Sequence, residues 1–266
     1  MDISVTELKK IQLDILSEVH KFCEKHKISY FLTYGTLIGA IRHKGYIPWD
    51  DDIDICMPRP DYERFIKIFN DENSKYKFLS NELDPDYPYP FGKVIDTSTV
   101  LIEYSSIKYP IGINIDVLPI DGVDESGEIL KKQFFLRNLL DVKTIKLSKK
   151  RSLLKNTVLL VGKICLFLLP YKFLVRTMVK NAKKYSYQES EYVCCVAGGF
   201  KEEKPMLKEY FRDKVLVQFE GNSYYAPIGY DKYLRSIYGD YMVLPPEEER
   251  MPHHVFKAYL KNTIEK

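Results

Sequence analysis

Trp49-Asp50-Asp51-Asp52-Ile53-Asp54-Ile55-Cys56-Met57-Pro58 carries four carboxylates within five positions and then turns apolar. Read as a strand from Asp52 to Met57, it places Ile53 and Ile55 on one face and Asp52 and Asp54 on the other. Two aspartates two residues apart then point the same way, roughly 7 Å apart along the backbone. Such a pair grips a hard divalent cation; Mg²⁺ or Mn²⁺ takes carboxylate oxygens and keeps substrate phosphate in its shell. Without a cation, so many adjacent carboxylates repel one another and shift each other's pKa. Asp51 points away from that face and Asp50 lies at the loop edge, so Asp52 and Asp54 are the expected ligands. The competing reading is a solvated acidic loop. The Ile53/Ile55 alternation, the Trp49 anchor and the preceding glycine segment weigh against it.

The flanking segments extend this pattern. Residues 28–34 read as a strand ended by Gly35-Thr36, and Leu37 to Arg42 read as a short helix. Amides at a helix start favour an anion, so Gly35 and Thr36 are expected at a substrate phosphate. Arg42, His43 and Lys44 add positive charge, with Arg42 as a two-pronged phosphate clamp; a solvated basic turn is the alternative. Further on, Ile111, Ile113, Ile115 and Val117 alternate with Asn114 and Asp116. A polar residue on such a strand faces solvent, a partner or a metal. Asp116 is therefore the expected third carboxylate, either ligating the metal or taking the proton from an attacking hydroxyl. Asp121 is its possible substitute.

Residues 5–27 show helical apolar spacing behind a Ser4/Glu7 capping box. Pro60 suits the first turn of a helix burying Tyr62, Phe65, Ile66 and Phe69. The interleaving predicts an α/β or α+β domain with a mixed sheet. Residues 213–230 read as strands and Asp231 to Tyr238 as a helix. The expected division is a catalytic core over 1–124, a basic helical insertion over 125–207, and a segment over 208–266 completing the core.

The 266 residues are 45% hydrophobic and 29% charged, which excludes wholesale disorder, and 21 are tyrosine. Five cysteines without metal-finger spacing, and no apolar signal core in Met1–Lys10, point to the cytoplasm. The net charge of +3 matters less than its distribution, because Lys143 to Lys184 contains no acidic residue. Val158 to Leu169 is largely apolar but shorter than the roughly 20 residues a bilayer span needs. Residues 150–180 are expected either to lie on anionic lipid at the inner face of the membrane or to pack on the core. No nucleic-acid motif accompanies the charge, so nucleic acid is not an expected partner.

Tyr34-Gly35-Thr36-Leu37-Ile38-Gly39-Ala40-Ile41-Arg42-His43-Lys44-Gly45 and Ile47-Pro48-Trp49-Asp50-Asp51-Asp52-Ile53-Asp54 closely resemble the LicD family. So do Lys93-Val94-Ile95-Asp96, Ile113 through Gly122, and Tyr238-Gly239-Asp240-Tyr241 through His253-His254-Val255-Phe256-Lys257. The resemblance implies a nucleotidyltransferase-like fold. It also implies transfer of a phospho-alcohol, typically phosphocholine from CDP-choline, to a sugar hydroxyl. The acceptor would be a surface glycan such as a teichoic acid, lipopolysaccharide or capsule precursor, built on a lipid carrier. CDP-ribitol or CDP-glycerol is the alternative donor, as in fukutin-related enzymes, and a non-catalytic membrane-bound assembly subunit is the alternative class. Trp49, Lys93, His253 and His254 join the expected substrate-binding set. For choline, Tyr87, Tyr89 and Phe91 are a candidate aromatic cage, against ordinary loop packing. The spacing gives no support to a zinc site joining Cys194-Cys195 to the histidine pair.

Overall fold

Helix α1 (Val5–His26) opens on the expected capping box: the Ser4 hydroxyl accepts from the Glu7 amide, and the Glu7 carboxylate accepts from the Ser4 amide. Leu8, Ile15, Leu16, Val19 and Phe22 form its buried stripe. The computed structural model describes residues 2–103, 105–147, 152–250 and 256–261. Strand β1 (Phe31–Leu32) is shorter than the strand expected over 28–34, because Tyr34 already begins helix α2 (Tyr34–Arg42). Tyr34 makes that turn at a φ of 46°, where a side chain is strained. Strand β2 (Asp54–Pro58) also starts later than expected, leaving Asp52 and Ile53 in the loop before it. Helix α3 (Arg59–Glu72) follows at once, with Pro60 in its first turn and Tyr62, Phe65 and Phe69 buried.

Three strands then build the sheet outward: β3 (Tyr76–Leu79), β4 (Gly92–Asp96) and, after the separate β5 (Thr99–Glu103), the long β6 (Asn114–Val123). The order is β1-β2-β6-β4-β3, with β2 and β6 parallel and the other neighbours antiparallel. Strand β6 runs past Val117, where its expected range ended. It pairs with β4 up to Val117 and with β7 (Tyr192–Cys194) from Asp121, so Pro119 falls between these two partners. A residue without an N–H is tolerated in such a gap. Strand β8 (Met206–Leu207) pairs with β7.

Between β6 and β7 lie α4 (Glu128–Thr144), α5 (Leu153–Cys165) and α6 (Tyr171–Ala182). Helices α4 and α6 share a small core of Leu136, Leu140, Leu174, Val175 and Met178. Helix α5 buries no residue. The chain then forms the hairpin β9 (Lys214–Phe219) and β10 (Asn222–Pro227) and helix α7 (Tyr230–Tyr238). Strand β11 (Phe256–Leu260) pairs with β5. The main core draws side chains from Ile15 through Tyr241. The architecture is α+β, with helices packed on a curled mixed sheet. Among the described residues no helix is long and apolar enough to cross a membrane.

Candidate active site

The register of three strands brings the chemistry together. Parallel pairing sets Asp54 on β2 opposite Asp116 on β6, and antiparallel pairing sets Lys93 on β4 opposite the same Asp116. The Lys93 ammonium donates to Asp116 at 2.5 Å and to Asn114 Oδ1 at 3.1 Å. The start of β2 is fastened to α2, since the Asp54 amide donates to the Thr36 hydroxyl at 2.8 Å. Gln12 of α1 pins the acidic loop to β6, donating to the carbonyls of Asp51 at 3.1 Å and Asn114 at 3.3 Å.

The loop places more carboxylates here than alternation suggested. Ligand oxygens of Asp50, Asp51 and Asp52 lie within 4.8 Å of one another. Strand periodicity sets Asp51 apart and the loop edge sets Asp50 apart, but residues before Asp54 are loop, where that periodicity has no force. Asp50 folds back against α2: a Cβ on Gly35 would stand 2.6 Å from its Oδ2, so the carboxylate lies close against the helix start. Burial, then Asp52, pushes the Asp50 carboxyl up to about 7. Burial, followed by Asp52, Asp116 and Asp50, holds Asp54 well above the ordinary carboxylate range despite the pull of Lys93. Oxygen donors crowded until they resist ionisation suit a hard divalent cation, whose charge offsets the repulsion.

A cavity of about 860 Å³ stands over this cluster, within the range of small-molecule sites. Of the expected residues, Gly35, Trp49, Asp52, Asp54, Lys93 and Asp116 line it. Thr36 does not; it lies behind, bracing β2. The basic triplet is not brought there either. Arg42 donates to the Tyr241 and Val243 carbonyls at 2.6 and 3.3 Å and to His43 Nε2 at 2.9 Å, which ties down the chain after α7. The Lys44 carbonyl accepts from the Glu220 amide at the β9–β10 turn. His253 and His254 lie outside the described residues. Tyr89 and Phe91 line the cavity, whereas Tyr87 is packed in the core. The Lys93 ammonium lies 5.0 and 5.8 Å from the Tyr89 and Phe91 ring centres. Asp121, the possible substitute for Asp116, stands roughly 17 Å further along β6. There it meets Arg59 in a buried two-pronged pair, at 2.6 and 3.0 Å.

Sequence reading missed Glu203. In Lys201-Glu202-Glu203-Lys204 it looks like one more residue of a solvated charged turn. It is 7% exposed, lines the same cavity, and accepts from the Tyr34 hydroxyl. Burial pushes its carboxyl up to about 7 against the pull of Tyr34 and the Cys195 amide. The unfolded chain ionises this group near pH 4.5, so between there and 7 the folded chain binds more protons. Stability from this site therefore falls as pH rises through that window, by at most about 3 kcal/mol. Glu203→Gln removes the titration. Its melting temperature, relative to the unsubstituted chain, is expected to be higher at pH 8 than at pH 5. Parallel pH profiles of the two proteins would contradict the assignment.

Comparison with known proteins identifies the family. Residues 27–147 match the family model described as LicD/FKTN/FKRP, nucleotidyltransferase domain. The chain is 35% identical over 267 residues to the lipopolysaccharide cholinephosphotransferase LicD of Haemophilus influenzae, covering 97% of this chain and 98% of that protein. Shorter matches reach uncharacterised proteins of Rickettsia typhi, 38% identical over 65 residues (24% of this chain, 21% of that protein), and of Rickettsia prowazekii, 43% over 47 (18% of each). The chain belongs to the LicD family.

Proposed function

We propose that this chain transfers phosphocholine from CDP-choline to a sugar hydroxyl of a lipopolysaccharide-type glycan, with Mg²⁺ or Mn²⁺ held by the Asp52–Asp54–Asp116 group. The observation that carries this is relatedness over nearly full length to a named cholinephosphotransferase, in a chain whose carboxylates converge from two paired strands. Asp50 and Asp51 stand close enough to join the set. When bound, the cation would neutralise charge building on the diphosphate as CMP leaves.

The chain's own residues do the rest. The start of α2, which lines the cavity at Gly35, offers amides to phosphate oxygens. Lys93 holds Asp116 in place by its 2.5 Å contact and adds one positive charge to an acidic site. Asp116, opposite Asp54, is placed to take the proton of the acceptor hydroxyl. Most of the rate then comes from positioning and electrostatic preorganisation. A thermal-shift panel of CDP-choline, CDP-ribitol and CDP-glycerol, each with Mg²⁺ or Mn²⁺, tests the donor. CDP-choline with metal is expected to stabilise most; an equal or larger shift with CDP-ribitol would move the assignment to that alcohol.

A lipid-linked acceptor fits helix α5. Leu154, Val158 and Val161 repeat along one side, exposed by 74, 65 and 54%, and Leu168, in the turn after the helix, is exposed by 88%. Twelve Lys and Arg and no acidic residue lie between Lys143 and Lys184. Helix α5 is held to the end of α4: Lys163 donates to the Lys143 carbonyl at 2.8 Å, and Lys143 to the Leu166 carbonyl at 2.6 Å. The same end of α4 lines the cavity with Asp141 and Thr144. An apolar face within a basic stretch of sequence suits peripheral contact with anionic lipid, which would set the cavity beside the membrane. Flotation with anionic vesicles is the measurement. The unsubstituted chain should float, more weakly at high salt, and Leu154→Asp with Leu168→Asp should not. Unchanged flotation of the double variant would dismiss the contact.

A further inference from the structure

The cavity is lined by a second acidic centre, built differently from the aspartate cluster. Phe200 to Glu203 follow a short 3-10 turn (Val196–Gly198) and Gly199, whose φ is 64°. That turn is fixed from two sides. Buried Gln133 donates to the Val196 carbonyl at 3.0 Å, and Arg137 to the Gly198 carbonyl at 3.0 Å. A Cβ on Gly199 would stand 2.8 Å from the Gln133 carbonyl, so the close approach needs glycine.

Glu203 is thus held rigidly in the cavity wall. Tyr34 donates to its Oε1, while Oε2 is buried and has no hydrogen-bond partner among the described residues. No Lys, Arg or His side chain pairs with it among those residues either. A buried carboxylate left half-satisfied carries a desolvation cost that a ligand can offset. Aromatic rings line the same cavity. The Tyr34 and Phe200 rings meet edge to face at 5.7 Å, and Phe91 and Phe200 at 6.4 Å. Arg137 lies 5.3 Å from the Phe200 ring centre, its charge already answered by Asp141 at 3.0 Å.

Resting on the phosphocholine reading above, we infer that Glu203, with Phe200 and Tyr34, receives the quaternary ammonium of the donor and selects a cationic alcohol. A trimethylammonium has no N–H to donate. It is recognised by ring faces and by a carboxylate nearby, and this wall supplies both, the bound cation favouring the ionised form of Glu203. The cage expected at Tyr87, Tyr89 and Phe91 is less suited: Tyr87 is in the core and Lys93 already lies over the other two rings. The two ends of the cavity are adjacent. Consecutive residues connect them, Tyr34 bonded to Glu203 and Gly35 packed against Asp50. Tyr238 feels the charges of Asp54, Glu203 and Asp50 together. A diphosphate at the aspartates thus leaves its alcohol within reach of Glu203.

Calorimetric titration of CDP-choline and CDP-glycerol into the full chain with Mg²⁺ tests this. The unsubstituted chain is expected to prefer CDP-choline by about tenfold or more. Glu203→Gln should remove most of that preference while leaving CDP-glycerol binding unchanged. A Glu203→Gln protein that keeps the preference overturns the assignment of Glu203 and leaves phosphocholine transfer standing. An unsubstituted chain with no preference overturns both. Should Glu203→Gln fail to fold, Phe200→Leu keeps the carboxylate and removes a ring. A preference reduced severalfold supports the site, and an intact one overturns it.

Discussion

Asp54→Asn is expected to lower phosphocholine transfer by about a thousandfold or more, the scale on which a central electrostatic group acts. Substrate-free and metal-free, the variant should melt at a higher temperature than the unsubstituted chain. The two effects have one cause. Asp54 faces Asp116 across the β2–β6 pair, with Asp52 and Asp50 beside it, and burial with these neighbours disfavours its ionised form. Asparagine keeps the shape and removes the repelled charge, so the fold gains. The same change removes a cation ligand, so the stabilisation by Mg²⁺ or Mn²⁺ in a thermal shift should shrink with the activity. Turnover within tenfold of the unsubstituted chain, at saturating metal, would remove Asp54 from the proposed mechanism. Loss of activity with an unchanged metal-induced shift would assign Asp54 another role.

The part of this site that is legible in sequence is the part made by neighbours in sequence. Asp52 and Asp54 stand at the head of an alternating apolar run, and Asp116 on the polar side of another. Two strand periods single them out as candidates, and the β2–β6 register then sets Asp54 opposite Asp116, with Asp52 in the loop before β2. The helix starts were legible for the same reason: Ser4 with Glu7, and Pro60, act within one turn. Failures came where a partner distant in the chain decides. Arg42 looks like a phosphate clamp beside an acidic loop, but carbonyls of Tyr241 and Val243, some two hundred residues on, take its guanidinium. Glu203 sits in a charged run and is buried because Tyr34, 169 residues earlier, lies against it. Asp51 was set aside because a strand period was extended into a loop, and Asp50 because it lies at that loop's edge, where it folds back on Gly35. Pairing of β5 with β11 spans most of the chain and leaves no local trace. Local periodicity therefore located the acidic end of the cavity, while the Glu203 end required the tertiary structure.

Arg59→Leu is expected to cost about 3–5 kcal/mol of stability, a large part of the 5–15 kcal/mol typical of a domain. That corresponds to a fall of roughly 10 °C in melting temperature. Arg59 begins α3 directly after β2, and Asp121 lies at the far end of β6, so their two-pronged contact fastens helix to sheet beneath the core. Asp121 is 1% exposed and Arg59 8%, which leaves water little access to either charge. Glu82 stands 3.6 Å from the same guanidinium, and Tyr62 stacks 5.0 Å from it. Removing the cation strands Asp121 as a buried carboxylate with Glu82 still nearby, and that stranded charge is the greater part of the cost. The double substitution Arg59→Leu with Asp121→Leu should therefore be markedly more stable than Arg59→Leu alone, because it removes the charge as well as its partner. Calorimetric melting of the three proteins measures this. A double variant no better than Arg59→Leu would mean that lost packing at the head of α3, rather than an unpaired charge, causes the destabilisation. Asp116 and Lys93 lie toward the opposite end of β6, so in either case the metal-induced shift of the surviving folded protein should persist.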